Sequence, residues 1–122
     1  MTEIQKTKTF DLEERTFNFA KRTRLFIKTV PLTLTNREDL IQLTRSSGSI
    51  GANYIEANEA LSKKDFIHRI KICRKEAKET IYWLKLIDAV SKKDVEMERT
   101  LLIKETQELM NIFGAIIRKS EN

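Results

Sequence analysis

One histidine and one cysteine limit the chemistry open to this sequence. His68 and Cys73 are the single residues of their kinds, too few for a multi-histidine or thiolate metal site. They lie five positions apart, which on a helix places them on different faces and denies them a thiolate–imidazole pairing. Cys73 cannot form an internal disulfide and sits in an apolar-periodic stretch, so it reads as a small buried hydrophobe. Carboxylates recur in pairs, Glu56 with Glu59 and Glu76 with Glu79. A di-iron bundle would add Glu-x-x-His motifs to such glutamates, and the sequence has none. The serines show no partnership with a histidine and an acid. With no nucleophile, base and oxyanion set in view, the expectation is a non-enzyme with no catalytic residue, metal or cofactor.

What remains is charge. The chain carries 23 Lys and Arg against 18 Asp and Glu, a net charge of +5, and the surplus is unevenly placed. Lys71, Arg74 or Lys75, and Lys78 recur at helical spacing and make a positive stripe, with Lys64 and Arg69 near its start. Lys21, Arg22, Arg24 and Lys28 add a second basic group, whereas Glu96, Glu98, Glu105 and Glu108 gather later in the chain. A cationic stripe tracks phosphates, with an affinity that falls steeply in salt. Its other readings are a solvated face, or one that pairs with the acidic helix of a neighbouring subunit. Tyr82 and Trp83 flank the stripe, placed either to stack on bases or to pack in the core or an interface.

The least ordinary segment is Arg45-Ser-Ser-Gly-Ser-Ile-Gly-Ala-Asn-Tyr-Ile-Glu56. It lacks the GxxxxGK[ST] pattern and the preceding strand of a phosphate-binding loop. Each glycine costs a helix about 1 kcal/mol relative to alanine, yet the apolar phase runs through from Leu40 and Leu43 via Ile50 to Tyr54. A continuous helix is expected, whose small face (Ser47, Gly48, Gly51, Ala52) lets a neighbour approach closely. Arg45, Ser49, Asn53 and Glu56 add polar groups that Glu76 and Glu79 of the following helix can meet. Two readings stay open there: solvated ion pairs worth little, or a buried polar network fixing register or a subunit contact.

The elements that hold these residues are all helical. Three glycines and one proline among 122 residues leave little for turn-rich β architecture, and 40% hydrophobic with 34% charged residues is a globular mix. One domain is expected. Residues 1–10 read as a flexible arm. Asp11 with Glu14 has capping spacing and opens a helix over about 11–30, seamed by Leu12, Phe19, Ala20, Phe26, Ile27 and Val30 and stopped by Pro31. Asn36 caps a second helix over about 37–60, with a seam of Leu40, Leu43, Ser47, Ile50, Tyr54, Ala57 and Leu61. Ser62-Lys-Lys-Asp65 caps a third over about 63–90, built on Phe66, Ile70, Cys73, Ala77, Ile81 and Leu84. The same tetrapeptide, Ser91-Lys-Lys-Asp94, caps a fourth over about 92–118, built on Val95, Leu102, Leu109, Phe113 and Ile116. Short connections make neighbours antiparallel, so residues 11–122 are expected as an all-α, up-down-up-down four-helix bundle. No apolar run reaches the ~18 residues of a membrane span, and no signal-peptide h-region follows the N-terminus. A cytoplasmic protein is expected.

Three stretches carry a family resemblance: Gln42-Leu-Thr-Arg-Ser-Ser-Gly-Ser-Ile-Gly-Ala-Asn-Tyr-Ile-Glu56, Lys64-Asp-Phe-Ile67, and Arg74-Lys-Glu-Ala-Lys-Glu-Thr-Ile-Tyr-Trp-Leu84. From about Phe17 to Ile117 the chain resembles the bacterial four-helix-bundle proteins, or rRNA intervening-sequence proteins, encoded within insertions in 23S ribosomal RNA genes. Tyr54 and Asn58-Glu59 stand where the family pattern has a small residue and a glycine. The resemblance implies a left-handed antiparallel bundle assembling as a ring, a homopentamer. The accessory subunit of diversity-generating retroelements is similar in fold and pentameric, and binds nucleic acid and a reverse transcriptase through a basic surface. With the one-sided charge of the third helix, the function expected is a homo-oligomer associating with RNA or DNA through Lys64, Arg69, Lys71, Arg74, Lys75 and Lys78. The alternative is a structural or protein-interaction module whose partner is a protein of the polymerase type.

Overall fold

Helical periodicity resolves into four helices. The computed structural model describes the backbone of residues 2–122 and the side chains from Leu12 onward. The helices are α1 (Thr2–Ile27), α2 (Leu34–Asn58), α3 (Lys63–Leu86) and α4 (Lys93–Glu121). Each packs on its sequence neighbours, and α1 closes the bundle against α4 at a wider spacing; across the α2–α4 diagonal the rings of Tyr54 and Phe113 meet at 6.3 Å in the core. Side-chain pairs fix the antiparallel order. Arg15 meets Glu105 while Arg22 meets Glu98, and Arg45 meets Glu79 while Arg69 meets Asn53.

The expected seams form the core. Leu43, Ile50, Ile70, Cys73, Ala77, Leu84, Leu102, Leu109 and Phe113 are fully buried, with Leu12, Phe19, Phe26 and Val30 supplied by α1 and its exit. Each large side chain so buried contributes about 1.5–3 kcal/mol. Ile27, Phe66 and Ile116 are only partly buried against the core, Ala20 and Ile81 are partly exposed, and Leu61, beyond the end of α2, is wholly exposed.

The ends correct several local expectations. The backbone of α1 begins at Thr2, so Asp11 stands within the helix, and the expected arm falls on opening turns whose side chains lie outside the described residues. α2 starts before Asn36, capped by Thr33, whose hydroxyl accepts from the Asn36 N–H. Ser62 caps α3 as expected, accepting from the Asp65 N–H at 3.0 Å. The identical Ser91-Lys-Lys-Asp94 does not repeat the trick. Val90 and Ser91 adopt left-handed backbone (φ 52° and 62°), and α4 opens after Lys92 with no side-chain cap. The left-handed pair turns the chain within the α3–α4 connection, leaving Ser91 out of the cap position. At the other ends, α1, α2 and α3 stop a few residues short of their expected limits, whereas α4 continues to Glu121.

Through the serine- and glycine-rich segment α2 is unbroken, as its apolar phase requires. Gly51 is where α1 comes closest. A Cβ there would lie 2.9 Å from Thr16 Oγ1 and 3.2 Å from Thr16 Cβ. Gly48 serves differently, because the nearest atom to a Cβ there is the Arg24 guanidinium at 3.1 Å. Ser47 beside them is fully buried, whereas Ala52 is exposed and plays no part in the contact.

Candidate nucleic-acid interface

The chain's ion pairs sort its charges. On the α1–α4 seam Arg15 forks onto Glu105, both bonds 2.8 Å, and also reaches Glu108 at 3.2 Å. Arg22 forks onto Glu98 at 2.7 and 2.9 Å. Such bidentate charge-assisted bonds are the stronger kind. Donating to the Glu105 carboxylate raises the Arg15 pKa above its already high value against the opposing effect of burial, and donating to Glu98 does the same for Arg22. Glu96 pairs with Arg99. The acids of α4 expected as a contrasting face are thus engaged within the chain. Arg24 also leaves the basic group of α1, donating to the Ala20 and Thr44 carbonyls over Gly48.

Between α2 and α3 lies a polar seam. Arg45 reaches Glu76 at 3.4 Å and Glu79 at 3.3 Å; the Glu76 side chain is 9% exposed and that of Arg45 54%. Asn53 accepts from Arg69 and donates to the Ser49 carbonyl. Ser47 and Ser49 return their hydroxyls to the carbonyls of Thr44 and Arg45. Glu56 is exposed and joins no ion pair among the described residues. Arg45, Glu76, Glu79 and Asn53 therefore come together as the sequence suggested, and Glu56 stays apart. The sequence reading missed the centre of this seam. Thr80 and Ser46, both fully buried, meet at 2.9 Å between their hydroxyls. Their spacing held the signal: Ser46 lies between Leu43 and Ile50, and Thr80 between Ala77 and Leu84, in core phase.

On α3 the acids Glu76 and Glu79 turn toward α2 with Arg69, and the lysines turn away. Lys64, Lys71, Arg74, Lys75, Lys78 and Lys85 are exposed. Lys71 pairs with Glu121 at 3.2 Å; among the described residues, Arg74, Lys75, Lys78 and Lys85 have no carboxylate within ion-pair distance. Tyr82 shares this face, 58% exposed. Trp83 packs half-buried against the core, with its ring 5.0 Å from that of Tyr82 and nearly perpendicular to it. Of the six basic residues singled out from the sequence, five lie on the outward side, and Arg69 points into the α2–α3 seam.

Cys73 is buried, and burial pushes its thiol up to about 12; His68 is exposed on another face. No helix among the described residues is long and apolar enough to cross a membrane.

The family model described as 23S rRNA-intervening sequence protein matches residues 8–115. Among solved structures the chain is similar to a protein of unknown function from the S23 ribosomal protein family of Bacteroides thetaiotaomicron. The two are 30% identical with a TM-score of 0.72, over 91% of this chain and 98% of that one. No curated protein matches significantly.

Proposed function

The chain belongs to the 23S rRNA-intervening sequence protein family, and we propose that it works as a non-enzymatic, self-associating bundle that holds nucleic acid on the outer face of α3. The observation that carries this reading is the segregation of charge. Acids of α3 and α4 are bound to arginines on two seams, and Arg74, Lys75 and Lys78 are left exposed on a third side. Cations so placed suit phosphates spaced along a strand, and Tyr82 among them offers a ring to a base. The contacts are backbone contacts, so the reading covers RNA and DNA alike. A location in the reducing cytoplasm accords with a buried, unpaired thiol.

Reversing Arg74, Lys75 and Lys78 to glutamate should abolish RNA retention at low salt while leaving the helical circular dichroism unchanged. Retention equal to wild type would reject the reading.

A second reading rests on a different observation. Phe17, Ile41 and Ile55 are more than half exposed on α1 and α2, which suits contact with another copy, as in the homopentameric ring that the resemblance implies, or with a polymerase-type protein. Light scattering of the nuclease-treated protein separates these. A protein assembly keeps its mass after digestion, and one held by nucleic acid does not.

A further inference from the structure

At one end of the basic face the surface is concave. The start of α3 and the end of α4 enclose an open cup of about 610 Å³ lined by Lys63, Lys64, Ile67, His68, Lys71 and Glu121. Three lysines and a histidine face one carboxylate. That carboxylate, Glu121, rests on Lys71 at 3.2 Å with both side chains about half exposed. An oxygen anion of the chain itself therefore occupies a site where cations converge. Such a half-exposed pair is worth little and is readily displaced by an anion of higher charge.

The cup continues the stripe rather than standing apart from it. Lys71 belongs to both, and the stripe runs on through Lys75, Lys78 and Lys85 for about 21 Å at 1.5 Å per residue. A strand lying along the stripe would bring one end into the cup. An internal phosphodiester carries one charge, whereas a terminal phosphomonoester approaches two at neutral pH, with three acceptor oxygens. The convergence of lysines matches the second better than the first.

We propose that this cup binds the terminal phosphate of a nucleic-acid strand whose body lies along α3, and that Glu121 competes with it for Lys71. The inference rests on the nucleic-acid reading of α3 given above.

The test uses fluorescence anisotropy of the full chain at low salt with one RNA sequence in three forms: 5′-phosphorylated, 3′-phosphorylated and hydroxyl at both ends. One phosphorylated form should bind about tenfold more tightly than the hydroxyl form, a difference of about 1.4 kcal/mol, and the arms tell which end is held. The paired change Lys63→Gln with His68→Gln should erase that difference and leave hydroxyl-ended RNA bound as before. Glu121→Gln should widen it. Equal binding of all three forms overturns the cup and leaves the stripe standing, as does a preference that survives Lys63→Gln with His68→Gln. An unchanged preference in Glu121→Gln overturns the competition. Failure of every form to bind removes the stripe reading and this one together.

Discussion

Asn36 and the backbone of Asp88 hold each other across 52 positions of sequence. The Asn36 amide donates to the Asp88 carbonyl at 2.8 Å, and its oxygen accepts the Asp88 N–H at 2.9 Å. The same amide donates to the Pro31 carbonyl at 3.0 Å. One fully buried side chain thereby ties the α1–α2 connection to the α3–α4 connection at the same end of the bundle.

Asn36→Ala would strip their partner from the Asp88 N–H and carbonyl, and take one of two donors from the Pro31 carbonyl. An unsatisfied buried group costs about 1–3 kcal/mol, so the variant should lose at least that much stability. Chemical denaturation measures it, and a loss below 0.5 kcal/mol, about the scale of an ordinary surface change, would show that water replaces the amide freely.

The glycines of α2 should respond in opposite directions. Gly51→Leu drives a side chain into Thr16, which is itself buried, and should cost about 1–3 kcal/mol. Gly48→Ala meets only the end of the exposed Arg24 side chain, which can swing aside. It should gain stability, up to about 1 kcal/mol, from helix propensity. Equal thermal shifts for the two would mean that α1 does not press on α2 at Gly51.

The Arg45–Glu76 pair decides between the two readings of the polar seam. Glu76 is almost buried while Arg45 stays half in water, so the coupling should be modest, about 0.5–1 kcal/mol in a double-mutant cycle. A value near zero would reduce the seam to the neutral Ser46–Thr80 contact.

Cys73 carries a pH dependence whose sign follows from burial. Its folded thiol titrates near 12, above the ordinary value of 9.0. The unfolded chain therefore holds fewer protons between these values, and stability falls as pH rises through that window. The stability advantage of wild type over Cys73→Ala should be full below pH 9 and shrink toward pH 12. An advantage constant across the window would show that the thiol titrates alike in both states.

Much of this was legible in the sequence because it is local. Apolar spacing marked the four helices, Ser62 with Asp65 marked a cap, and the uninterrupted phase through Gly48 and Gly51 marked a close approach. What escaped was set by distant partners or by backbone angles. The forks from Arg15 and Arg22 join residues more than 70 positions apart. Asn36 looked like a cap because its residue type favours one, yet its side chain is committed to Asp88. Ser91 repeats the letters around Ser62, but the left-handed turn at Val90 and Ser91 withdraws it from the helix end. The stripe was visible as spacing, whereas the diversion of Arg69 to Asn53 required α2 beside it.

The seams of the bundle differ in kind. α1 lies against α2 through the bare backbone of Gly51, but it spans to α4 through long side chains, over a groove of about 350 Å³ bordered by Arg15, Asn18 and Arg22. Added electrolyte weakens forks of that sort and leaves oily contacts intact. The first rod is thus moored to its two flanking rods by unlike means, one side answering to ionic strength and the other to shape.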